Sequence, residues 1–252
     1  MSDSHILVEQ PESHAGVLVI RFNRPEKKNA ITSAMYHRMT AALEESNADD
    51  GIRAVAFLGS EGCFSAGNDM ADFLGFALSG SGEVPAAASF IKALALAEKP
   101  LVSGVDGLAI GIGATLHHHC DMTIASPRSL FKTPFVDLAL VPEAASSLLA
   151  PRIMGHQRAF AMLVAGEAFS AEAALQAGLI WKLVAPEAVE AETLALARSL
   201  SRKPPQALKI ARELVRGPRD EVLARMDEEL VHFSAQLKSA EAQAAFQAFM
   251  RR

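Results

Sequence analysis

The stretch from Leu101 to Asp121, LVSGVDGLAIGIGATLHHHCD, limits what this chain can fold into more than any other. Leu101, Val102 and Val105 form a short apolar run suited to a buried strand. Asp106-Gly107 breaks the run with a pair favoured in tight turns. Gly111 and Gly113 follow, and the lack of a breaker from Ala114 to Cys120 predicts a helix starting near Ile112. A strand feeding a glycine-lined helix start leaves main-chain N–H groups pointing outward, with the positive end of the helix dipole behind them. Such a place can hold a phosphate or a developing oxyanion. The glycines can equally serve only to pack the helix against a sheet. A dinucleotide fingerprint does not fit, because the third glycine of G-x-G-x-x-G falls on Leu116.

A chain of 252 residues suits one large domain, or a domain with an appendage, and needs no covalent staples. No apolar run approaches the ~18 residues that span a bilayer, and no basic segment followed by an apolar one marks a secretory signal. No membrane association is expected. Cys63 and Cys120 are the two cysteines, both in apolar surroundings, which fits buried thiols in a reducing cytoplasm. A net charge of −5 argues against nucleic acid as the main partner, while a local basic patch could still grip a phosphate.

Strands are expected at Ile6–Glu9, Val17–Phe22, Val55–Leu58, Met122–Ala125, Ser129–Lys132 and Leu179–Val184. Thr32 is a plausible N-cap for a helix reaching Ser46, with Met35, Met39, Ala42 and Leu43 on one face. Gly59 to Asn68 reads as a loop, and Gly75 to Pro85 as a mobile one. Helices are expected at Ala86–Ala97, Ala144–Leu149, Gln157–Ala165 and Ala171–Ala177. From Glu187 onward every strong segment is helical, over Ala188–Leu200, Gln206–Val215, Arg219–Gln236 and Glu241–Met250. Strands and helices first, helices only afterwards, predict an α/β core over residues 1–186 and a helical C-terminal region over 187–252.

Several segments in order carry a resemblance. They are Asn23-Arg24-Pro25-Glu26-Lys27-Lys28-Asn29-Ala30, then Cys63-Phe64-Ser65-Ala66-Gly67-Asn68-Asp69-Met70, then Gly111-Ile112-Gly113. Thr133-Pro134-Phe135-Val136-Asp137 with Pro142-Glu143 follows, and last come Gly166-Glu167 and Ala177-Gly178-Leu179-Ile180. This order, from about Val17 to Val184, resembles the crotonase superfamily, the enoyl-CoA hydratases and isomerases. The resemblance implies an α/β spiral of turning β-β-α units, with the C-terminal helices used in a homotrimer or a dimer of trimers. It implies an acyl-CoA substrate, with coenzyme A present as part of the thioester and no permanently bound cofactor or metal. It further implies that the thioester carbonyl is held by the main-chain N–H groups of Asn68 and Ile112. The residues it implies for binding the substrate and its CoA are Ser65, Ala66, Gly67, Asp69 and Met70 around the first donor, Gly111 before the second, Pro134, Phe135 and, in the opening segment, Ala30. Arg24, Lys27, Lys28 and Ala30 lie in the opening segment, where the basic residues either meet the CoA phosphates or form a solvated loop.

Hydratases of this family use two glutamates, at positions occupied here by Thr115 and Phe135. The carboxylate that remains at an acid–base position of the family is Glu143, after Pro142, as in the isomerases that move a double bond from carbon 3 to carbon 2. One carboxylate suits that chemistry, taking a proton from C2 and returning one to C4. Phe135, Leu140 and Val141 would dry Glu143 and raise its pKa, whereas the helix expected after it would lower it. Asp137 is the rival acid, and a solvated helix-start residue is the plainer account of Glu143. Hydration by a water on Glu143, or acyl-CoA binding without turnover, remain the alternative functions. His117, His118 and His119 point about 100° apart on a helix and cannot converge on one tetrahedral metal, so packing or surface exposure explains them. The apolar tail positions Leu223, Met226, Leu230, Phe233, Leu237, Phe246 and Phe249 exceed what one peripheral layer needs, which points to contacts with the core and with other subunits.

Overall fold

The computed structural model describes residues 5–71 and 86–250, so Gly75–Pro85 and the side chain of Phe249 lie outside the described residues. Two sheets organise the chain. The larger has the order β1-β2-β3-β5-β7-β10, made of Ile6–Glu9, Val17–Phe22, Ala54–Leu58, Leu101–Val105, Met122–Ala125 and Lys182–Leu183. Its first pair is antiparallel and the rest are parallel. The smaller has the order β4-β6-β8-β9, made of Cys63–Ser65, Leu108–Ile110, Leu130–Lys132 and Phe169–Ser170. The chain lays one strand in the large sheet, turns, and lays the next in the small one, at β3/β4, β5/β6 and β7/β8. Helices separate successive strand pairs, α1 at Ser33–Ala48 and α2 at Ala86–Leu96. This is the α/β spiral of β-β-α units, with two sheets and C-terminal helices.

The corners between the sheets are stacked and stitched. Asp106 accepts hydrogen bonds from Gly62 N (2.8 Å), Ser126 Oγ (2.7 Å) and Arg128 Nε (2.7 Å), one carboxylate joining three consecutive turns. Burial opposes its charge, but these donors outweigh burial and hold its pKa near 2. Gly107 is obligatory beside it: its φ is +82°, and a Cβ there would lie 1.9 Å from Gly62 O.

Sequence reading located the long elements and the short strands β1, β7 and β8, and missed β4 and β6. Thr32 caps α1 as expected, accepting from Met35 N. The stretch Gly59–Asn68 contains β4, and the strand that feeds the glycine-rich helix start is β6 rather than Leu101–Val105. The expected strand Leu179–Val184 contracts to Lys182–Leu183. The helix expected from Ala144 begins at Ser146, because Ala144 and Ala145 are left-handed, with φ of 60° and 53°.

The residues beyond 187 do three different things. Helix α7 (Val189–Ser201) seals one face of the large sheet, where Leu194 and Ala197 pack on Val17, Val19, Ala54, Ala56 and Val102. Helix α8 (Pro205–Arg216) buries Arg212 but leaves Ile210, Leu214 and Val215 exposed at 55, 79 and 88%. Helices α9 (Arg219–Leu237) and α10 (Ala240–Met250) fold back, so that Ala242, Phe246, Phe233 and Leu237 cover Leu138, Leu140 and Met70. No helix among the described residues is long and apolar enough to cross a membrane.

Candidate active site

Two neighbouring parallel strands of the small sheet deliver the candidate oxyanion donors. β4 and β6 pair with Cys63 beside Leu108 and Ser65 beside Ala109, so the residues after each strand emerge side by side. After β4 the chain turns through Gly67 (φ +87°), where a Cβ would sit 2.9 Å from Ile110 O and 3.9 Å from Gly111 Cα. After β6 it turns through Gly111 (φ +57°) into the short helix α3, Ile112–Thr115. Gly113 then presses on Ser65, where a Cβ would lie 3.0 Å from its Cβ and O. Small residues are thus required at 67 and 113 for the two segments to touch, while the positive φ favours glycine at 111. In the ladder around Asn68, Ile31 N donates to Gly67 O and Asp69 N to Ile31 O, which leaves Asn68 N outside the ladder. Ile112 N opens a helix and has no acceptor one turn earlier. Asn68 and Ile112 therefore present unused main-chain donors next to each other among the described residues, the arrangement an enolate oxygen needs.

The loop around Asn68 is braced from the N-terminal segment. Asn29, fully buried with φ 53°, donates to Ser60 Oγ, Cys63 O and Phe64 O, and accepts from Arg24 N. Ser65 Oγ donates to Asn29 O and accepts from Gly67 N, and Ala66 N donates to Lys28 O. Arg24 pairs with Asp69 at 2.7 Å and donates to Ala30 O at 2.9 Å. Arg24, Ser65, Asp69 and Ala30 thus brace the site internally, and the Arg24 guanidinium is engaged in that brace rather than turned to solvent. Lys27 and Lys28 stay exposed on the same segment. Tyr36 donates to Asn68 Oδ1 at 2.5 Å, fixing the side chain of the first donor residue.

Thr115 lies three residues after Ile112, one helical turn or roughly 5 Å along the same face. Its hydroxyl donates to Glu143 Oε1 at 2.5 Å. The residue at the position expected for a hydratase glutamate is here the hydrogen-bond partner of Glu143. Glu143 keeps some surface open, yet protein surrounds it on most sides. Phe135, at the second hydratase position, is buried in the same apolar cluster as Ile112 and Ala144. Burial pushes the Glu143 carboxyl up to about 8; the Thr115 hydrogen bond opposes this and the charge of Glu229 adds to it. A half-buried carboxyl with a pKa near neutrality can take up and return a proton.

Asp137 is placed differently. It is exposed, 3.7 Å from Lys132 in a loose ion pair. Pro134 is half-buried beside Phe135, and Met70 lies beneath the C-terminal helices. His117, His118 and His119 are all buried, so the surface placement considered for them does not occur, and no group of residues among those described could hold a metal. His117 Nδ1 lies 2.9 Å from Ser103 Oγ, and His119 Nε2 lies 2.7 Å from Ala144 O. Sequence reasoning assigned His119 and Asn29 no role at the site and passed over Glu229. The signal for Glu229 was available: it falls on the face of α9 that carries Met226, Leu230 and Phe233, where a carboxylate is out of place unless bonded.

Comparison with known proteins agrees with this layout. The family model described as enoyl-CoA hydratase/isomerase matches residues 12–252. Enoyl-CoA delta isomerase 2 of Rattus norvegicus is 36% identical over 225 residues, 86% of this chain and 56% of that protein. The chain thus spans little more than half the length of that relative. The 1,2-epoxyphenylacetyl-CoA isomerase of Escherichia coli (strain K12) is 30% identical over 208 residues, 79% of this chain and 78% of that protein. The crystal structure of an enoyl-CoA hydratase/isomerase from Pseudoalteromonas atlantica T6c aligns with a TM-score of 0.92 at 38% identity, covering 98% of this chain and 97% of that one. With the family model running along nearly all of its length and its backbone following that of a relative from end to end, this chain belongs to the enoyl-CoA hydratase/isomerase (crotonase) family.

Proposed function

We propose that this chain isomerises enoyl-CoA thioesters, moving a 3-enoyl double bond to the 2-position with Glu143 as its single proton carrier. The observation that carries this reading is the pairing of one desolvated carboxylate, Glu143, with Thr115 and Phe135 at the positions where a water-adding pair of glutamates would sit. The thioester oxygen accepts from Asn68 N–H and Ile112 N–H. Glu143 takes a proton from C2, and the C–H electrons pass into a dienolate whose oxygen the two donors stabilise. The protonated Glu143 then gives the proton to C4 as the electrons return from oxygen, which closes the C2–C3 double bond. No water enters and no atom is gained or lost. Lys27 and Lys28 are the cations of the opening segment left exposed to meet CoA phosphates.

Incubating the protein with a 3-enoyl-CoA and, separately, a 2-enoyl-CoA tests the reading. A double-bond shift in the first and no hydroxyacyl product from the second is the expected result. Hydroxyacyl-CoA formation points instead to hydration, and tight binding without turnover to a binding protein.

The assembly is part of the same reading. The exposed Ile210, Leu214 and Val215 of α8 make an apolar face that a second and third copy would cover, giving a homotrimer or a pair of stacked trimers. Light scattering at micromolar concentration should return at least three times the chain mass, and a monomer rejects this assembly.

A further inference from the structure

The segment that carries Glu143 adopts a backbone its own residues disfavour. Ala144 and Ala145 are both left-handed, with φ of 60° and 53°, although neither is glycine. Such a conformation persists only where the surroundings impose it. Two anchors do so. On one side His119 lies 2.7 Å from Ala144 O, and since a carbonyl can only accept, the Nε2 atom carries the proton. On the other side Glu229, from the middle of α9, accepts from Ala145 N at 2.6 Å, Ser147 N at 3.0 Å and Ser147 Oγ at 2.6 Å.

Those main-chain donors belong to the N-cap (Ala145) and first turn of α4 (Ser146–Met154), the helix that starts three residues after Glu143. The N-terminus of that helix is the positive feature that would otherwise stabilise a charged Glu143 and make it a weaker base. We infer that Glu229 is a positioning residue for Glu143: reaching from the C-terminal region, it clamps segment 144–147, whose first two residues are left-handed, and fills the helix N-terminus with its own carboxylate. The inference rests on reading Glu143 as the base. It gives the C-terminal helices a task at the reaction centre in addition to covering Leu138, Leu140 and Met70.

The charged and titratable groups around this clamp are few. Arg225, one turn before Glu229, donates to Ser147 Oγ at 3.2 Å and also pairs with Glu228 at 3.0 Å. His119 is kept neutral by burial, which pushes its pKa down to about 3, and Arg216 donates to the His119 carbonyl. Thr115 is uncharged. Burial pushes the Glu229 carboxyl up, while the hydrogen bonds from Ser147 and Ala145 and the charge of Arg225 pull it down; ionised, it is the negative group bearing on Glu143, and removing its charge should ease ionisation of Glu143.

The test uses the full chain carrying Glu229→Gln, which keeps the shape and one acceptor but not the charge. The expected result is a pH profile whose base limb moves about one unit to lower pH, a plateau kcat lower by roughly tenfold, and a KM for 3-enoyl-CoA within about threefold. Carboxyl NMR, with the Glu143 signal assigned by its loss in Glu143→Gln, should show the same downward move without reference to turnover. A Glu143 titration that stays in place overturns the inference. So does an unchanged kcat in the folded variant when Glu143→Gln is inactive. If Glu143→Gln retains full activity, the base assignment fails instead, and the NMR titration alone decides the clamp. Should Glu229→Gln not fold, Glu229→Asp keeps the charge and shortens the reach. It should lower kcat while leaving the base limb near its wild-type position, and wild-type kinetics in that variant overturn the clamp.

Discussion

Glu143→Gln should lower the rate of double-bond migration by roughly a hundredfold to ten-thousandfold while acyl-CoA binding persists. Glutamine keeps the size and polarity of the side chain and can still accept from Thr115 Oγ1, so the local structure has little reason to change. What disappears is the atom that takes the C2 proton. On the proposed reading, binding rests instead on Asn68 N–H, Ile112 N–H and the exposed Lys27 and Lys28, none of which the substitution touches. The measurements are single-turnover isomerisation and equilibrium binding of an unreactive acyl-CoA. Near-normal isomerisation in Glu143→Gln, with the loss appearing in Asp137→Asn, would reassign the base despite the exposed position of Asp137.

The raised pKa of Glu143 sets two pH dependences with definite sign. A base works in its deprotonated form, so kcat/KM should climb about tenfold per unit up to pH 8 and level off above it. Folding has the opposite preference. The folded carboxyl binds its proton more tightly than the unfolded one, whose ordinary value is 4.5, so its contribution to stability is complete below that value and is lost as pH rises through 8. Glu143→Gln, which carries no charge to desolvate, should therefore melt at a higher temperature than the wild type above pH 8 and show little difference at pH 5. A base held ready at the expense of stability is a common feature of active sites.

Legibility in the sequence depended on length and on whether a residue acts through its side chain. The strands Ile6–Glu9 and Val17–Phe22 and the helix Ala171–Ala177 were readable to the residue, because each is a full period of apolar spacing or carries a cap such as Ser170. β4 and β6 were not, since three residues hold no period; tertiary pairing with each other and with β8 makes them strands. The start of α4 was misplaced because alanine favours helix, whereas His119 and Glu229 force Ala144 and Ala145 out of it. At the site, the order of motifs led to Asn68, Ile112 and Glu143, while the role of Arg24 was hidden. An arginine in a basic loop looks solvated until its partner, Asp69, arrives from 45 residues away. Thr115 was read as a missing glutamate, and its contact with Glu143 joins segments 28 residues apart, beyond any local pattern.

Ile112→Pro should reduce turnover on the order of a hundredfold or more, and Asn68→Ala only a few-fold, though both positions belong to the same proposed oxyanion hole. Proline is tolerated at the first position of a helix, which is where Ile112 stands, so α3 can survive the change. The N–H is lost, and with it one of two donors to the enolate. Because Ile112 is also 3% exposed within the main core, lost packing must be separated from the lost donor. Ile112→Ala supplies the control: it should destabilise the fold by about 2–4 kcal/mol yet keep the N–H and most of kcat. Asn68→Ala leaves its own N–H in place and breaks the 2.5 Å hydrogen bond from Tyr36, a contact that orients the loop without meeting the substrate oxygen. Tyr36→Phe should then reproduce the modest loss of Asn68→Ala, and the double variant should add little, since both remove one bond. If Asn68→Ala proved as damaging as Ile112→Pro while Tyr36→Phe stayed mild, the amide side chain itself would be acting on the thioester, and the main-chain assignment at position 68 would have to be withdrawn.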